Sequence, residues 1–409
     1  MSRATVLVTD AGLGSAVAVI RSLDRAGYRV IAADDHRRSA GLWSRHAAER
    51  LVYPSPRRDV AGFVACLADA VEREGVDIIV PVTDAAILPI DHHRHRFDGR
   101  CVLAMADREA LTAAADKYRT AVDGEALGLT LPPTQLVRTV DEAVSAAADL
   151  GWPVVVKPRF SAMLGDNRVE RRSVTYADSE AELRHVMQPL EGRCEVVLQG
   201  WCPGHGAGVD LLMWEGEPLL AFQHERLREL PVHGGPGALR RSVPLDPELY
   251  RSSVALLAGW GWSGIAMVEF RSSGSNHRLM EVNGRLWGSI PLSTGCGVDF
   301  PLSHVRLLLD GTPPDGRVGD YPNGFRARHL TNDVMWIMSV LSGRPQRRHP
   351  TLPRPRRRDA ALAALELLDP RITYDVQSWR DPLPGAIEVA QMGRRVGLKL
   401  IGGRTDNER

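Results

Sequence analysis

The sequence predicts an α/β protein: an open parallel sheet at the N-terminus, then a larger region holding Val-rich strands and an antiparallel hairpin near residue 275. Three observations predict it. The first hundred residues alternate apolar strand-like runs with helical spacing, the mark of βαβ units. After residue 150, Val-rich runs recur between Gly, Pro and Asn breaks. Residues 209–222 and 265–282 read as antiparallel strands.

In order, Val6-Leu7-Val8 is a strand, the turn Asp10 to Gly14 opens a helix Ala16 to Ala26, and Gly27 ends it before a strand Arg29 to Ala33. A helix over 60–74, a strand Asp77 to Val80 and a strand near Cys101 to Ala104 complete the parallel sheet. Its ligand-facing rim is expected in the loops after Val8, Ala33 and Val80. From 111 to 200 come a helix near Lys117, a Pro132-Pro133 break, a helix Asp141 to Leu150, a strand Pro153 to Lys157 and a strand Glu195 to Gln199. Between the last two, SAMLGDNR reads as a mobile loop. The chain divides into residues 1–110, 111–310 (lobes of about 120–200 and 201–310) and a C-terminal extension, 311–409.

Composition excludes several classes. With 51 Lys and Arg against 50 Asp and Glu, the net charge of +1 gives the whole chain no reason to seek nucleic acid or an acidic membrane. No apolar run is long enough for a membrane span, and the N-terminus carries no signal-peptide pattern, so a cytoplasmic location is expected. Five cysteines without a C-x-x-C pair argue against a disulfide framework or a zinc site. Only three basic residues are lysines, at 117, 157 and 399. Arginine serves wherever a generic charge suffices, so each lysine needs a reason to be lysine.

The segment MVEFRSSGSNHRLMEVNGRLWGS (267–289) carries the chemistry. A hairpin register centred on Ser275 places Glu269 opposite Glu281 on one face, where two carboxylates repel. A divalent cation between them removes the conflict, and Asn283, two residues on, adds a third oxygen on the same face. Such a donor set suits magnesium completed by water and phosphate. Arg285 continues on that face. Lys157 closes a Val-rich strand, from which its ammonium reaches a phosphate as a point charge.

ADKYR, VVVKPR, VVLQGWCPG and MVEFR with LMEVNGRLWGS, in this order, resemble the ATP-grasp superfamily, and most of all its branch similar to the carbamoyl-phosphate synthetase large chain. The resemblance covers about residues 1–310. It implies a Rossmann-like N-terminal domain, a two-lobed α+β ATP-grasp domain, and ATP with Mg²⁺ held between the lobes. It further implies that Lys117 and Lys157 contact phosphates, and that Gln199, Gly200 and Trp201 meet the adenine with Leu279 beneath it. Glu269, Glu281 and Asn283 would ligate magnesium, and Arg285 would steady the transferring phosphoryl group. Gly200 stands where the family usually has an acid, which leaves Asp210 as the candidate ribose contact, and Gly284 replaces a proline. FQHERLRELPVHGGPGALRRS resembles the substrate segment, with His224, Arg226, Glu229, His233, Gly234 and Gly235 in place, although Gly237 replaces a serine.

The implied activity is a carboxylate–amine ligase working through an acyl phosphate on small carboxylate and amine substrates. Two rivals stand beside it. Gly12-Leu13-Gly14 after a strand, with Asp34 and Asp35 about twenty residues on, suggests an NAD(P)-dependent oxidoreductase, but Val17 occupies the third glycine position. A non-catalytic nucleotide-binding subunit is the other. The run RPQRRHPTLPRPRRR lacks interleaved aromatics and reads as a stiff solvated connector rather than a nucleic-acid site. The amphipathic segment beyond it, 359–403, is expected to pack on the core because it is short, with a homodimer contact or a membrane surface as the alternatives.

Overall fold

The computed structural model describes residues 4–315, 318–343, 349 and 351–400. Residues 344–348 and 350 of the Arg/Pro run, the side chain of Lys399 and residues 401–403 of the amphipathic segment lie outside the described residues.

The N-terminal part is β1 (Thr5–Val8), α1 (Gly14–Arg25), β2 (Arg29–Asp34), β3 (Glu49–Val52), α2 (Val60–Glu74), β4 (Ile78–Val80), α3 (Asp84–His92) and β5 (Val102–Leu103). Its five strands are parallel in the order β3-β2-β1-β4-β5. The strand and helix alternation therefore folds as its pattern predicts. Two elements carry no clear pattern in sequence. Strand β3 is an exposed edge reading ERLV, and α3 contains Pro89, which interrupts its helical spacing.

Helices α4 (Arg108–Ala115) and α5 (Lys117–Ala126) lead into the lid, with Asp107 and Asp116 as their N-caps. The lid comprises β6 (Thr134–Val137), α6 (Val140–Leu150), β7 (Val154–Pro158), β8 (Ala162–Leu164), β9 (Val169–Arg171), β10 (Thr175–Ala177), α7 (Glu180–Met187) and β11 (Val196–Gly200). Four strands form a sheet in the order β10-β7-β11-β6, and α6 and α7 cover it over Val154, Val156, Val196 and Leu198. The short β8–β9 hairpin stands apart from that sheet.

The central lobe contains β12 (His205–Trp214), β13 (Glu217–Glu229), β14 (Gly237–Ser242), α8 (Pro247–Gly259), β15 (Gly264–Ser273), β16 (Asn276–Asn283), α9 (Ile290–Gly295) and α10 (Phe300–Asp310). The chain continues as β17 (Arg326–Arg328), α11 (Leu330–Leu341), α12 (Arg357–Glu366), β18 (Ile372–Tyr374) and α13 (Pro382–Leu400). The seven-stranded sheet runs β16-β15-β12-β13-β14-β17-β18, so two strands of the C-terminal extension complete the central sheet. The extension is also clamped to the rest: Arg240 donates from Nη2 to both oxygens of the buried Asp375, and Arg21 of α1 pairs with Asp381 at 2.9 Å. Among the described residues no helix is long and apolar enough to cross a membrane.

Candidate active site

The hairpin β15–β16 places Glu269 directly opposite Glu281, and Met267 opposite Asn283. How it does so differs from the simple register. The turn is the two residues Gly274 and Ser275, with Gly274 at φ +61°, and the pairing nearest the turn sets Phe270 opposite Leu279. A β-bulge at Met280 then shifts the register by one, and without it Glu281 would lie on the opposite face. The same bulge reassigns the neighbouring residues. Leu279 is 1% exposed and packs with Phe270 and Val282 in the core under α5, where Gly124 leaves room for it. Leu279 therefore does not floor the cleft. The half-buried Met280 shares the open face with Glu281 instead.

Next to the hairpin, β12 presents Gly206 and Gly208 on the same face. A Cβ at Gly206 would stand 2.8 Å from the Arg226 side chain, and one at Gly208 would stand 2.5 Å from His224. The two glycines form a trough through which side chains of β13 reach the hairpin. Arg226 uses it to bind Glu269 with two hydrogen bonds, 2.8 and 2.5 Å. Arg226 also donates to the carbonyl of Gly235, which holds the loop carrying His233 and Gly234 beside the site. His233 packs edge-on against Tyr176 of the lid strand β10, so this loop bridges the two lobes.

His224 and Asp210 are placed elsewhere. Both are almost fully buried, with His224 Nδ1 3.3 Å from Asp210 and Nε2 3.1 Å from the hydroxyl of Ser289. Burial drives the Asp210 carboxyl above its ordinary range, opposed by His224. Asp210 has no exposed surface on which a ribose could rest, because β12 is an interior strand covered on both faces. The hinge also differs from expectation. Strand β11 lies between β7 and β6, so the amides of Gly200 and Trp201 are already bonded to the carbonyls of Pro133 and Pro153. Gln199 donates to Thr134, while its Oε1 is buried without a partner.

Lys117 and Lys157 enter from above. Lys117 is the first residue of α5 and donates to Ser161 at 2.5 Å, and Lys157 lies near the end of β7. Arg159, which sequence reasoning missed, ties their two segments together. It binds the α5 cap Asp116 through both Nε and Nη2 and reaches Glu195 at 2.5 Å, while its carbonyl accepts from the amide of Lys117. The PR after Lys157 was the only signal, and an arginine in an arginine-rich chain carries little information alone. Burial lowers the Lys157 pKa, and Glu281 opposes that shift. Glu281 is the converse: burial favours its neutral form, yet Lys117, Lys157, Arg285 and Arg226 together hold the carboxyl below its ordinary range. Arg285 donates to Asp84 at 3.0 Å, joining the site to the first turn of α3.

The Gly-rich loop of the N-terminal sheet is closed. The Asp34 carboxylate accepts from the amides of Gly12 and His36 and from Ser39, so the acid expected to bind a ribose holds its own loop instead. At Gly14 a Cβ would meet Asp375 at 3.3 Å and Val376 at 3.4 Å, so the C-terminal extension covers the start of α1. This geometry disfavours the dinucleotide reading.

Among the described residues no three His, Cys, Asp or Glu side chains cluster as a metal cage. The donor set nonetheless fits magnesium, which takes one or two carboxylates and fills its shell with water and phosphate. Neither the carboxylate of Glu281 nor the side-chain amide of Asn283 makes a hydrogen bond among the described residues. Glu269 is engaged by Arg226 through one bond on each oxygen, so it would share its carboxylate between the guanidinium and a metal.

Sequence comparison matches residues 194–332 to a family described as ATP-grasp in the biosynthetic pathway with Ter operon. The carbamoyl phosphate synthase large chain of Pseudomonas syringae pv. tomato is 26% identical over 223 residues, 50% of this chain and 19% of that protein. The formate-dependent phosphoribosylglycinamide formyltransferase of a Synechococcus species is 32% identical over 160 residues, 39% of this chain and 38% of that protein. The chain thus spans well under half the length of these relatives. Among solved structures, the biotin carboxylase domain of 2-oxoglutarate carboxylase from Hydrogenobacter thermophilus, crystallised as a dimer with MgADP, ADP and bicarbonate, superposes with a TM-score of 0.60. Identity is 18%, covering 79% of this chain and 73% of that one. Biotin carboxylase from Campylobacter jejuni gives 0.61 at 14% identity, covering 80% and 74%. The ordered motifs, the paired carboxylates under two lysines and these relatives agree: the chain carries an ATP-grasp domain.

Proposed function

We propose that this chain is an ATP-dependent ligase that joins a carboxylate to an amine through an acyl phosphate. The observation that carries the reading is the setting of Glu281. Its carboxyl lies opposite Glu269 and next to Asn283, among four cations, with its oxygens free of hydrogen bonds among the described residues. Such a group is prepared for a metal–phosphate ligand rather than for a structural ion pair. Relatives at 26% and 32% identity with ATP-grasp enzymes support the same class of chemistry.

In this reading a carboxylate oxygen of the first substrate attacks the γ-phosphorus of ATP, and the bond to the bridging oxygen breaks to release ADP. The amine then attacks the acyl carbon, phosphate leaves with the bonding pair, and the amine's proton passes to solvent. Magnesium, when bound, neutralises charge on the phosphate oxygens. The chain's own part is position and charge. Lys117 and Lys157 bring fixed positive charge to the phosphates, and Asp116 and Arg159 keep the two lysine segments in register. Arg285, oriented by Asp84, offers a planar fork to the phosphoryl group as it changes geometry. No nucleophilic side chain is required.

The test is product analysis over a panel of amino acids and other small carboxylates, with and without a second amine and with hydroxylamine as trap. ADP, phosphate and a trapped hydroxamate are expected. AMP with pyrophosphate would mean an adenylate route and end the acyl-phosphate reading. NADH binding without ATP binding would restore the oxidoreductase.

A further inference from the structure

One row nearer the turn, the hairpin repeats its carboxylate arrangement with the opposite sign. Arg271 on β15 stands directly opposite Arg278 on β16. Both are on the face of Glu269 and Glu281, because Phe270 and Leu279 between them point into the core. Two guanidinium groups so placed repel each other, and cross-strand pairs of like charge destabilise a sheet.

The protein's own compensation is incomplete. Arg271 donates from Nη1 to Glu229 and from Nε to the carbonyl of Cys202, both at 3.2 Å, but its Nη2 is buried without an acceptor. Glu229 is divided, since it also lies 3.6 Å from Arg226. Arg278 has no carboxylate within ion-pair distance among the described residues and turns toward the thiol of Cys202. That thiol cannot serve as a counter-anion: burial raises its pKa, and it stays neutral at physiological pH. Lys157 adds its charge to the same spot. A buried donor left unmade and two like charges in register each cost free energy, and one oxyanion between the two forks would offset both.

We propose that Arg271 and Arg278 form a phosphate-binding subsite, separate from the carboxylate pair and about 7 Å along the strand from it. The planar forks suit bidentate contact with a phosphate oxyanion. Two ligands can supply that oxyanion: the nucleotide, in which case the inference rests on the function proposed above, or a phosphate carried by a second substrate.

Calorimetric titration of inorganic pyrophosphate, AMP, adenosine and MgATP into wild type, Arg278→Gln, Arg278→Lys and Arg271→Gln tests it. Arg278 is the primary variant, because among the described residues its side chain makes no ion pair whose loss would unfold the hairpin. Arg278→Gln is expected to weaken pyrophosphate and AMP about 10- to 100-fold, with adenosine unchanged and the lysine variant between. Weaker pyrophosphate with unchanged AMP would assign the subsite to the second substrate's phosphate. Unchanged pyrophosphate and AMP, or adenosine weakened as much as AMP, overturns the proposal. Should wild type bind pyrophosphate through these arginines but no ATP, the ligase reading fails and the subsite stands.

Discussion

Arg226 reaches across Gly206 to hold Glu269 with both terminal nitrogens, at 2.8 and 2.5 Å, and so engages one carboxylate of the pair that the hairpin builds. The pair is nearly buried, and it keeps Glu269 and Glu281 from confronting each other uncompensated. Removing the arginine alone leaves the nearly buried Glu269 without its ion pair and in register with Glu281, a loss of about 3 kcal/mol. Arg226→Gln is therefore expected to lower the melting temperature, and magnesium to restore a large part of that loss while changing wild type little. Calorimetric melting with and without magnesium checks this. Equal magnesium effects in both proteins would mean that the carboxylates do not take the ion.

The bulge at Met280 separates two adjacent residues by role. Leu279 is core, and Leu279→Ala is expected to cost about 2–5 kcal/mol with nucleotide affinity of the folded protein unchanged. Met280 is on the open face, and Met280→Ala is expected to leave urea unfolding almost unaltered while weakening adenine nucleotides severalfold. Paired unfolding and nucleotide titrations decide it. The reverse assignment would place the adenine on the core side of β16 and remove the bulge from the account.

Much of this site is legible in the sequence because sign and spacing are local properties. Glu269, Glu281 and Asn283 can be found from a hairpin pattern, and Lys117 and Lys157 from the scarcity of lysine in an arginine-rich chain. What escapes is whatever depends on a shift of one residue or on a partner far away. Period-two reasoning assigns Leu279 to the face of Glu281, and only the bulge reverses it. Asp210 reads as an accessible polar residue, yet β12 becomes an interior strand only once β13 and β15 flank it. The cover over the start of α1 at Gly14 depends on Asp375, more than 350 residues along the chain. The same holds for the central sheet, whose last two strands come from the extension and not from the region before residue 310.

His304 gives the fold a pH limit. It is buried beside Gly264 in a small space shared with Gly284 and Arg285, and burial pushes its pKa down to about 4. The unfolded chain takes up that proton near pH 6.5, so the folded state binds fewer protons between the two values. Stability contributed by the neutral ring is complete above pH 6.5 and falls as the pH drops toward 4, by about 3 kcal/mol in all. Asp34 works in the opposite sense, because burial raises its carboxyl to about 6 and its contribution is lost as pH rises. Comparing wild type with His304→Gln cancels Asp34. The variant is expected to lose less stability than wild type from pH 7 to 4 by denaturant unfolding, and parallel profiles would refute the role given to His304.

The lid hairpin is docked rather than loose. Asn167 at its tip donates from its side chain to Asp59, the N-cap of α2. It also accepts the amide of Val60 on its backbone oxygen and that of Ala61 on its side chain. Val169 then inserts into the core of the N-terminal sheet, with Ala162 and Leu164 packed beside it. The expectation from SAMLGDNR alone is a mobile loop, and its composition suits one; the difference is that a helix start on another domain supplies unsatisfied amides to a short polar side chain. At its other end the hairpin begins at Ser161, which accepts from Lys117, so the docking contact and a phosphate-directed lysine share one strap. Asn167→Ala removes the side-chain bonds and leaves the backbone bond, which should loosen the tip without unfolding either domain. Limited proteolysis within 161–172 is expected to quicken severalfold in the variant without nucleotide. Saturating MgATP should close the gap by holding the strap from the lysine side. Equal cleavage of variant and wild type without nucleotide would show that Val169 and the backbone bonds to Val60 and Pro56 keep the hairpin down without the Asn167 side chain.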